Sequence, residues 1–398
     1  MKGSTFRRCG CRDEAGKLLT DCPRLGRERG HGSWYYRADV GRDGSGRRRE
    51  QRKGGFTTKK EADEALAAVL HNVSTGEHRH DDRQTVGSYL ATWIDAKEAN
   101  GLLRRSTATG YRSHIDQDIA PALGHVRLGE LRPGHIERLL TDLVASGRGA
   151  TVVRRIHATL RSALSDAKRK RLVTYNAAVD VELPKVTKAE VEPWSKDELA
   201  DFLDHAARHR LGALFEVLAF TGMRRGEVCG LRWSDIDLEG GVITVREQLV
   251  EVNGKIVPGR PKTRSGERRI EIDPRVIEAL LAHRLSQDIE RMEWGSGYRD
   301  DGRVFAREDG TDLLPSAVTH LFLRLGREAG LRPVRLHDLR HGAASLMLEG
   351  KVDIAVVSKV LGHSSVSITA DIYSHLLPGV GRSAAAAAAA LVRPRASV

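Results

Sequence analysis

The sequence predicts a multidomain chain with a small N-terminal β-sheet-plus-helix domain, then an all-α domain, then an α+β domain. Three observations point there. At 398 residues the chain exceeds what one ordinary hydrophobic core organises, so two or three domains are expected. Charge is uneven: Lys and Arg exceed Asp and Glu by 65 to 53, yet the first 60 residues alone hold 17 basic and seven acidic side chains. The spacing of apolar residues also changes along the chain, from strand-like alternation to helical repeats and then to a mixture of the two.

Several classes are excluded early. No stretch approaches the ~20 apolar residues that span a bilayer, and MKGSTFRRCGCRDE lacks the apolar centre of a signal peptide. A cytoplasmic protein with no membrane partner is expected. Four cysteines are too few and too unevenly spaced for a secreted disulfide framework. The basic end attracts polyanions, nucleic acid first among them, because phosphate neutralisation gives affinity without sequence readout; a solvated basic surface is the alternative.

Residues 1–75 form the first zone. The run from Trp34 to Val40, the turn GRDGSG and the basic run to Phe56 predict a small antiparallel sheet. Thr57 or Thr58 then caps a helix with Ala62, Ala65, Leu66 and Val69 on one face. Arginines on such strands can enter a DNA groove, or simply face water. Ahead of the sheet, Cys9, Cys11, Cys22 and His31 can close a tetrahedral structural zinc site that braces a segment too small for its own core. Cys-x-Cys is not the usual knuckle spacing, and unligated reduced cysteines are the alternative.

Residues 83–180 read as helical. Val86, Leu90, Trp93 and Ile94 recur at helical spacing, and Ser106 or Thr107 can cap a helix running through Tyr111 and Ile115. A further helix starts with Pro133 near its first turn and stops at Gly147. TVVRRIHATLRSALSDAKRKRL is a long amphipathic helix with a basic polar side. The stretch from Tyr175 to Ser195 reads as a linker, because its prolines and mixed charges break the periodicity.

Residues 190–376 hold the chemistry. Leu211, Leu214, Phe215 and Leu218 make a helix stripe that Gly222 ends, and Arg224 follows at a sharp turn. The turn Asn253-Gly254 predicts a hairpin, and a second turn, KTRSG, carries Lys262 and leads into a third strand. His337, Arg340 and His341 share one helix face, while Leu339, Ala343, Leu346 and Met347 share the buried one. His363 follows Gly362 at a helix end, and Tyr373 lies ten residues further on. The neighbouring arginines and the lack of a convergent carboxylate argue against a cation site among these histidines.

Attack on a phosphodiester suits this set. Arg224 and Arg340 offer planar forks of donors for non-bridging oxygens and for the charge that grows in the transition state. Tyr373 can supply the nucleophilic oxygen, given cations or a base to offset a phenol pKa of about 10. Lys262 on its turn can protonate the leaving 5′-oxygen.

TGMRRGE, the β-turn lysine, HDLRH, LGHSS and TADIYSH, in that order, resemble the tyrosine recombinase (phage integrase) family, whose catalytic fold is shared with type IB topoisomerases. The resemblance implies an arm-type DNA-binding domain over 1–75, an all-α core-binding domain over 83–180, an α+β tyrosine recombinase catalytic domain over 190–376 and an alanine-rich C-terminal tail over 377–398. It implies catalytic roles for Arg224, Lys262, His337, Arg340, His363 and the nucleophile Tyr373. Glu227 and His341 have supporting roles, Glu227 orienting the site and His341 bracing its box.

The implied reaction is site-specific strand exchange through a 3′-phosphotyrosyl bond and a Holliday junction, with no cofactor required for catalysis. Implied partners are double-stranded attachment DNA with core and arm sites, a homotetramer on DNA, a DNA-bending host factor and an excisionase, in a nucleoid-associated setting. The tail can dock on a neighbouring protomer. A relaxing topoisomerase and a non-catalytic DNA-binding regulator descended from an integrase are the alternatives.

Overall fold

The structure, a computed structural model, describes residues 3–14, 16–19, 21–28, 30–42, 47–74, 84–186, 192–261 and 264–373. Lys262 and the alanine-rich tail lie outside the described residues. Two compact units emerge, Met1–Val186 and Thr187–Val398.

The first unit begins with strand β1 (Gly3–Arg8), a short helix α1 (Arg24–Arg27), strands β2 (Ser33–Arg42) and β3 (Arg48–Phe56), and helix α2 (Lys59–Ser74). The sheet is antiparallel in the order β1-β2-β3. Its first strand lies ahead of the cysteines, where the alternation from Trp34 onward gave no hint of it. Alternation on β2 sends Tyr36, Ala38 and Val40 inward against Ala65, Leu66 and Val69 of α2, the apolar face expected for that helix. Thr58 caps it as expected, its Oγ1 accepting from the Glu61 amide at 3.2 Å, while Glu61 reaches back to the Thr57 amide at 3.0 Å. The cap satisfies the Glu61 amide, which the first turn leaves without a helical partner.

Helices α3 (Val86–Ala99), α4 (Arg105–His114), α5 (Ala120–Leu123), α6 (Pro133–Ala145) and α7 (Ala150–Arg169) follow. Val86, Leu90, Trp93 and Ile94 are all buried in one cluster with Ile136, Leu140, Ile156 and Leu160. Two details differ from expectation. Helix α4 starts before Ser106 and Thr107, with Arg104 in the cap position and no side-chain cap, and it runs on through a π-helical turn, Ile115–Ile119. The presumed linker also begins later than Tyr175. Ala177 and Ala178 belong to the helical core, and Asn176 donates to the Arg161 carbonyl at 2.9 Å, so irregular backbone here is packed rather than free.

Inside this cluster lies a buried acid. Asp166 accepts from Trp93 Nε1 at 2.8 Å and meets Lys97 Nζ at 2.8 Å and the Arg169 guanidinium.

The second unit carries α8 (Lys196–Ala206), α9 (Gly212–Thr221), α10 (Arg225–Gly230), β4 (Ile236–Asp237), β5 (Val242–Val245), β6 (Gln248–Val252), β7 (Lys255–Gly259), β8 (Arg268–Glu271), α11 (Pro274–Trp294), α12 (Pro315–Glu328), α13 (Asp338–Glu349), α14 (Ile354–Leu361) and α15 (Val366–Tyr373). The expected stripe Leu211, Leu214, Phe215 and Leu218 is buried in its core, where Trp194, Phe202 and Phe322 pack at centroid separations of 4.8 to 5.2 Å. Asn253 and Gly254 turn the β6–β7 hairpin with φ of 51° and 71°, the left-handed pair that a two-residue hairpin turn needs. The strand after the second turn, β8, does not extend this hairpin. It pairs with β5 in a separate sheet of order β4-β5-β8. No helix among the described residues is long and apolar enough to cross a membrane.

Asp166→Ala leaves the Lys97 ammonium and the Trp93 N–H without their buried partner. A loss of roughly 3 kcal/mol is expected, read as a lower urea midpoint for the transition that moves Trp93 fluorescence; an unchanged midpoint would show that the acid is dispensable to the bundle.

Candidate active site

Two helix C-termini build the floor of the site. Helix α9 ends at Gly222 (φ 60°) and α14 at Gly362 (φ 68°), both left-handed caps. Glycine is required twice over. Beyond the positive φ, a Cβ at Gly222 would sit 2.6 Å from Leu361 Cδ2, and one at Gly362 would sit 2.8 Å from the Ser265 carbonyl oxygen. These ends leave carbonyls without helical partners and carry the negative end of the helix dipole.

Arginines take those carbonyls crosswise. Arg340, on α13 and only 5% exposed, donates Nη1 to the Gly222 carbonyl and Nη2 to the Leu361 carbonyl, each at 2.6 Å. Arg224, at the start of α10, donates Nη2 to the Gly362 carbonyl at 3.2 Å and Nη1 to Glu227 Oε1 at 2.7 Å. Burial and the like charge of Arg224 push Arg340 down to about 9, which still leaves its guanidinium charged near neutrality.

Glu227 is the counter-charge. It is 1% exposed, accepts from the Arg224 amide at 2.9 Å and from Arg268 Nη2 at 2.9 Å. Burial alone would raise its pKa, but the charge and hydrogen bond of Arg268, with the help of Arg224, hold it below the usual carboxylate range. Arg268, on β8, also donates to the Gly266 carbonyl at 3.0 Å. Sequence reasoning missed this arginine. The available signal was its place on the inward face of the last strand, in step with Ile270, where a charge needs a buried partner.

Tyr373 closes α15 and is 3% exposed, packed against Ala344, Leu348, Val357 and Leu361. Its hydroxyl lies 2.7 Å from His341 Nδ1. Burial pushes the phenol up to about 12, with Arg340 pulling the other way. Burial also lowers His341, so near neutrality its uncharged ring can accept the phenol's proton. His341, expected only to brace its box, is therefore the described side chain bonded to the phenol.

His337 precedes α13, and its ring meets that of His341 edge-on at 5.3 Å. His363 is fixed by Thr369, Nδ1 to Oγ1 at 2.8 Å, which leaves Nε2 for another partner. Burial and nearby positive charge push both histidines down to about 4. The structure thus brings Arg224, Glu227, His337, Arg340, His341, His363 and Tyr373 together. Lys255, the other lysine on the predicted sheet, is exposed on β7 opposite Val252; Lys262 falls outside the described residues. With Arg268, the gathered side chains form a cation-rich cluster, three guanidinium groups against the one carboxylate of Glu227, beside a buried phenol.

The fold and its domain content define an enzyme that breaks and rejoins DNA, of the tyrosine recombinase class. Residues 194–379 match the phage integrase family, residues 85–144 the N-terminal SAM-like domain of phage integrases and residues 26–73 an arm DNA-binding domain. The chain belongs to the phage integrase family.

It is similar to the "Tyrosine recombinase XerC-like" protein of Caldanaerobacter subterraneus subsp. tengcongensis, 28% identical over 370 residues that span 87% of this chain and 94% of that protein. Among solved structures it resembles the Tn1549 transposon integrase in complex with a circular intermediate DNA (TM-score 0.64, 20% identity, 78% of this chain and 100% of that one). It also resembles the lambda integrase tetramer bound to a Holliday junction (TM-score 0.53, 20% identity, 83% and 93%).

The depressed histidines give a pH dependence whose sign is fixed. Unfolded histidine titrates near 6.5, while His337 and His363 titrate at about 4 in the fold. Between these values the unfolded chain binds more protons, so their contribution is whole above 6.5 and is lost as pH falls toward 4. The urea midpoint of the catalytic unit is expected to drop across that window, and less steeply in His337→Gln/His363→Gln; parallel profiles would refute the assignment.

Proposed function

We propose that this chain is the site-specific integrase of a phage or other integrating element, and that Tyr373 cleaves DNA by forming a 3′-phosphotyrosyl bond. The observation that carries this reading is the Tyr373 hydroxyl on His341, beside arginines already anchored on the carbonyls of two helix C-termini. The scissile phosphate brings negative charge to this excess of cations, held by the guanidinium N–H groups of Arg224 and Arg340 that the carbonyls and Glu227 leave over. Tyr373 Oη attacks phosphorus as His341 takes its proton, and the bond to the 5′-oxygen breaks. Lys262 is the proposed donor of the proton that this oxygen needs, and His363 Nε2 donates to the phosphoryl group.

The freed 5′-hydroxyl of one duplex then attacks the phosphotyrosine of its partner and releases Tyr373. One ester replaces another at each step, so the bond energy is conserved without ATP and without a catalytic cofactor. The solved lambda integrase is a tetramer on a Holliday junction, which supports strand exchange within a homotetramer here. The Tn1549 structure holds a circular intermediate of a transposon, which supports a mobile element as the source of the substrate. Action on chromosomal attachment sites places the protein in the cytoplasm at the nucleoid, where a DNA-bending host factor and an excisionase are the proposed helpers. The alanine-rich tail after residue 377 is the proposed element that docks on a neighbouring protomer.

The N-terminal sheet supplies the arm contact. Its face away from α2 carries Arg37 opposite Arg52, both more than half exposed, and Tyr35 stacked on Phe6 at 5.8 Å. Tyr35 lies flat across Gly54, where a Cβ would come within 1.9 Å of its ring, so the strand stays thin at the point where DNA would approach.

A nicked duplex carrying the candidate attachment junction, incubated with protein in chelator and run on a denaturing gel, should give a covalent protein–DNA band that Tyr373→Phe abolishes and His341→Ala slows by about 10² to 10⁴ at neutral pH. Tight binding without any adduct would favour a non-catalytic regulator, and relaxation of plasmids lacking the junction would favour a topoisomerase. Arg37→Ala and Arg52→Ala should each weaken arm-site binding and lower its salt slope by about one. An unaltered slope would mean that these arginines face water.

A further inference from the structure

The connection from β1 to β2 runs from Cys9 to Gly32, 24 residues between two strands that pair directly. Neighbouring antiparallel strands are usually joined by two to five residues. None of this segment's described residues belongs to the apolar cluster under the sheet, and its Leu18 is 54% exposed. Something other than a core must hold it.

What converges inside it is three sulfurs and an imidazole. Cys9 and Cys11 follow β1 directly, Cys22 precedes α1, and His31 precedes β2. Their ligand atoms all lie within 4.8 Å of one another. His31 Nε2 is 3.4 Å from Cys11 Sγ and 3.6 Å from Cys22 Sγ. Zinc bonds of ~2.3 Å to sulfur and ~2.0 Å to nitrogen give a tetrahedral S···N edge of ~3.5 Å, so these two edges already have the metal-bound length. The widest edge needs a contraction of only about 1 Å.

The surroundings suit a cation as well. His31 Nδ1 lies 4.0 Å from Glu28 Oε2, a small movement short of the carboxylate–histidine hydrogen bond that orients a ligating ring. Arg7 Nη1 donates to the Leu25 carbonyl at 3.0 Å, tying α1 back to the strand that leads to Cys9. Cys22 is 6% exposed, and three thiols with one imidazole leave an odd sulfur that no disulfide pairing absorbs.

We infer that Cys9, Cys11, Cys22 and His31 bind one structural zinc ion that knits the β1–β2 connection onto the arm-binding sheet. The match to known arm DNA-binding domains begins at residue 26, so the three cysteines stand outside it. Four protein ligands close the coordination sphere, which makes the site structural rather than catalytic. The inference does not rest on the recombinase reading, since its readouts need no DNA.

The full chain, purified without chelator, should carry one equivalent of zinc by elemental analysis. Exchange to cobalt(II) should give a thiolate charge-transfer band with intense visible bands of a tetrahedral ion. Cys9→Ser, Cys11→Ser and Cys22→Ser should each lose the metal, and Cys229→Ser, which alters the buried cysteine of the catalytic unit, should keep it. Should the serine variants prove insoluble, wild type still decides: a thiol reagent should find Cys9, Cys11 and Cys22 protected in the native protein and all three reactive once a strong chelator is added. Substoichiometric metal with freely reactive thiols, a disulfide by mass, or full metal retention in the serine variants would each overturn the site.

Discussion

Everything in the catalytic unit turns on holding three guanidinium groups close together with a single carboxylate. Arg224, Arg268 and Arg340 would repel one another in a site this dry. Glu227 neutralises part of that charge through Arg224 and Arg268, and the remainder is met by backbone. The C-termini of α9 and α14 point the carbonyls of Gly222, Leu361 and Gly362 at Arg224 and Arg340, so dipoles that cannot move or titrate stand in for a second acid. A second carboxylate would have cancelled more of that charge and weakened the attraction for a phosphate. Carbonyls hold the cations while leaving a net positive charge.

Burial, more than that deficit, sets the proton inventory. It drives His337, His341 and His363 toward the neutral form, with surrounding positive charge acting the same way, and it pushes the Tyr373 hydroxyl toward the un-ionised form against the pull of Arg340. On the proposed mechanism, the site then pairs a weakly nucleophilic phenol with a neutral imidazole that can accept its proton. An anionic diester shifts the balance: it favours charged imidazoles and offers the developing oxyanion a place among fixed donors. Reactivity is tied in this way to occupancy by the substrate's own charge.

Much of this was legible in the sequence because it is encoded locally. Gly222 as a helix stop, Asn253-Gly254 as a turn, Thr58 as a cap and the buried stripe of α9 each follow from backbone preference or periodicity over a few residues. The site residues were legible as a set because His337, Arg340 and His341 share a helix face and because the chemistry of arginines and one tyrosine is narrow. Long-range pairings were not. Whether β8 joins β7 or β5 depends on how Ile243 and Ile270 meet in the core, and local alternation is the same either way. The Arg268–Glu227 bridge joins β8 to α10 across 41 residues, and the contact of His341 with Tyr373 joins α13 to α15 across 32; only tertiary packing reveals them. The strand Gly3–Arg8 was hidden by its mixture of polar and basic residues, since it is recruited by pairing with β2 rather than by its own pattern.

On the proposed mechanism, the arrangement also gives a reason for arginine rather than lysine at positions 224 and 340. Each side chain has two tasks at once: it must be anchored by carbonyls so that it does not drift out to solvent, and it must present donors to a phosphoryl group. A guanidinium has five N–H groups in a rigid plane. Arg340 gives one bond from Nη1 and one from Nη2 to backbone, and its other donors stay in the same plane, already oriented. An ammonium has three donors on a single nitrogen; two carbonyls would leave one, aimed wherever the first two allow. The geometry that prevents mutual repulsion of the cations is thus the same geometry that aims them, and a substitution that preserves charge without the fork preserves neither the anchoring nor the aim.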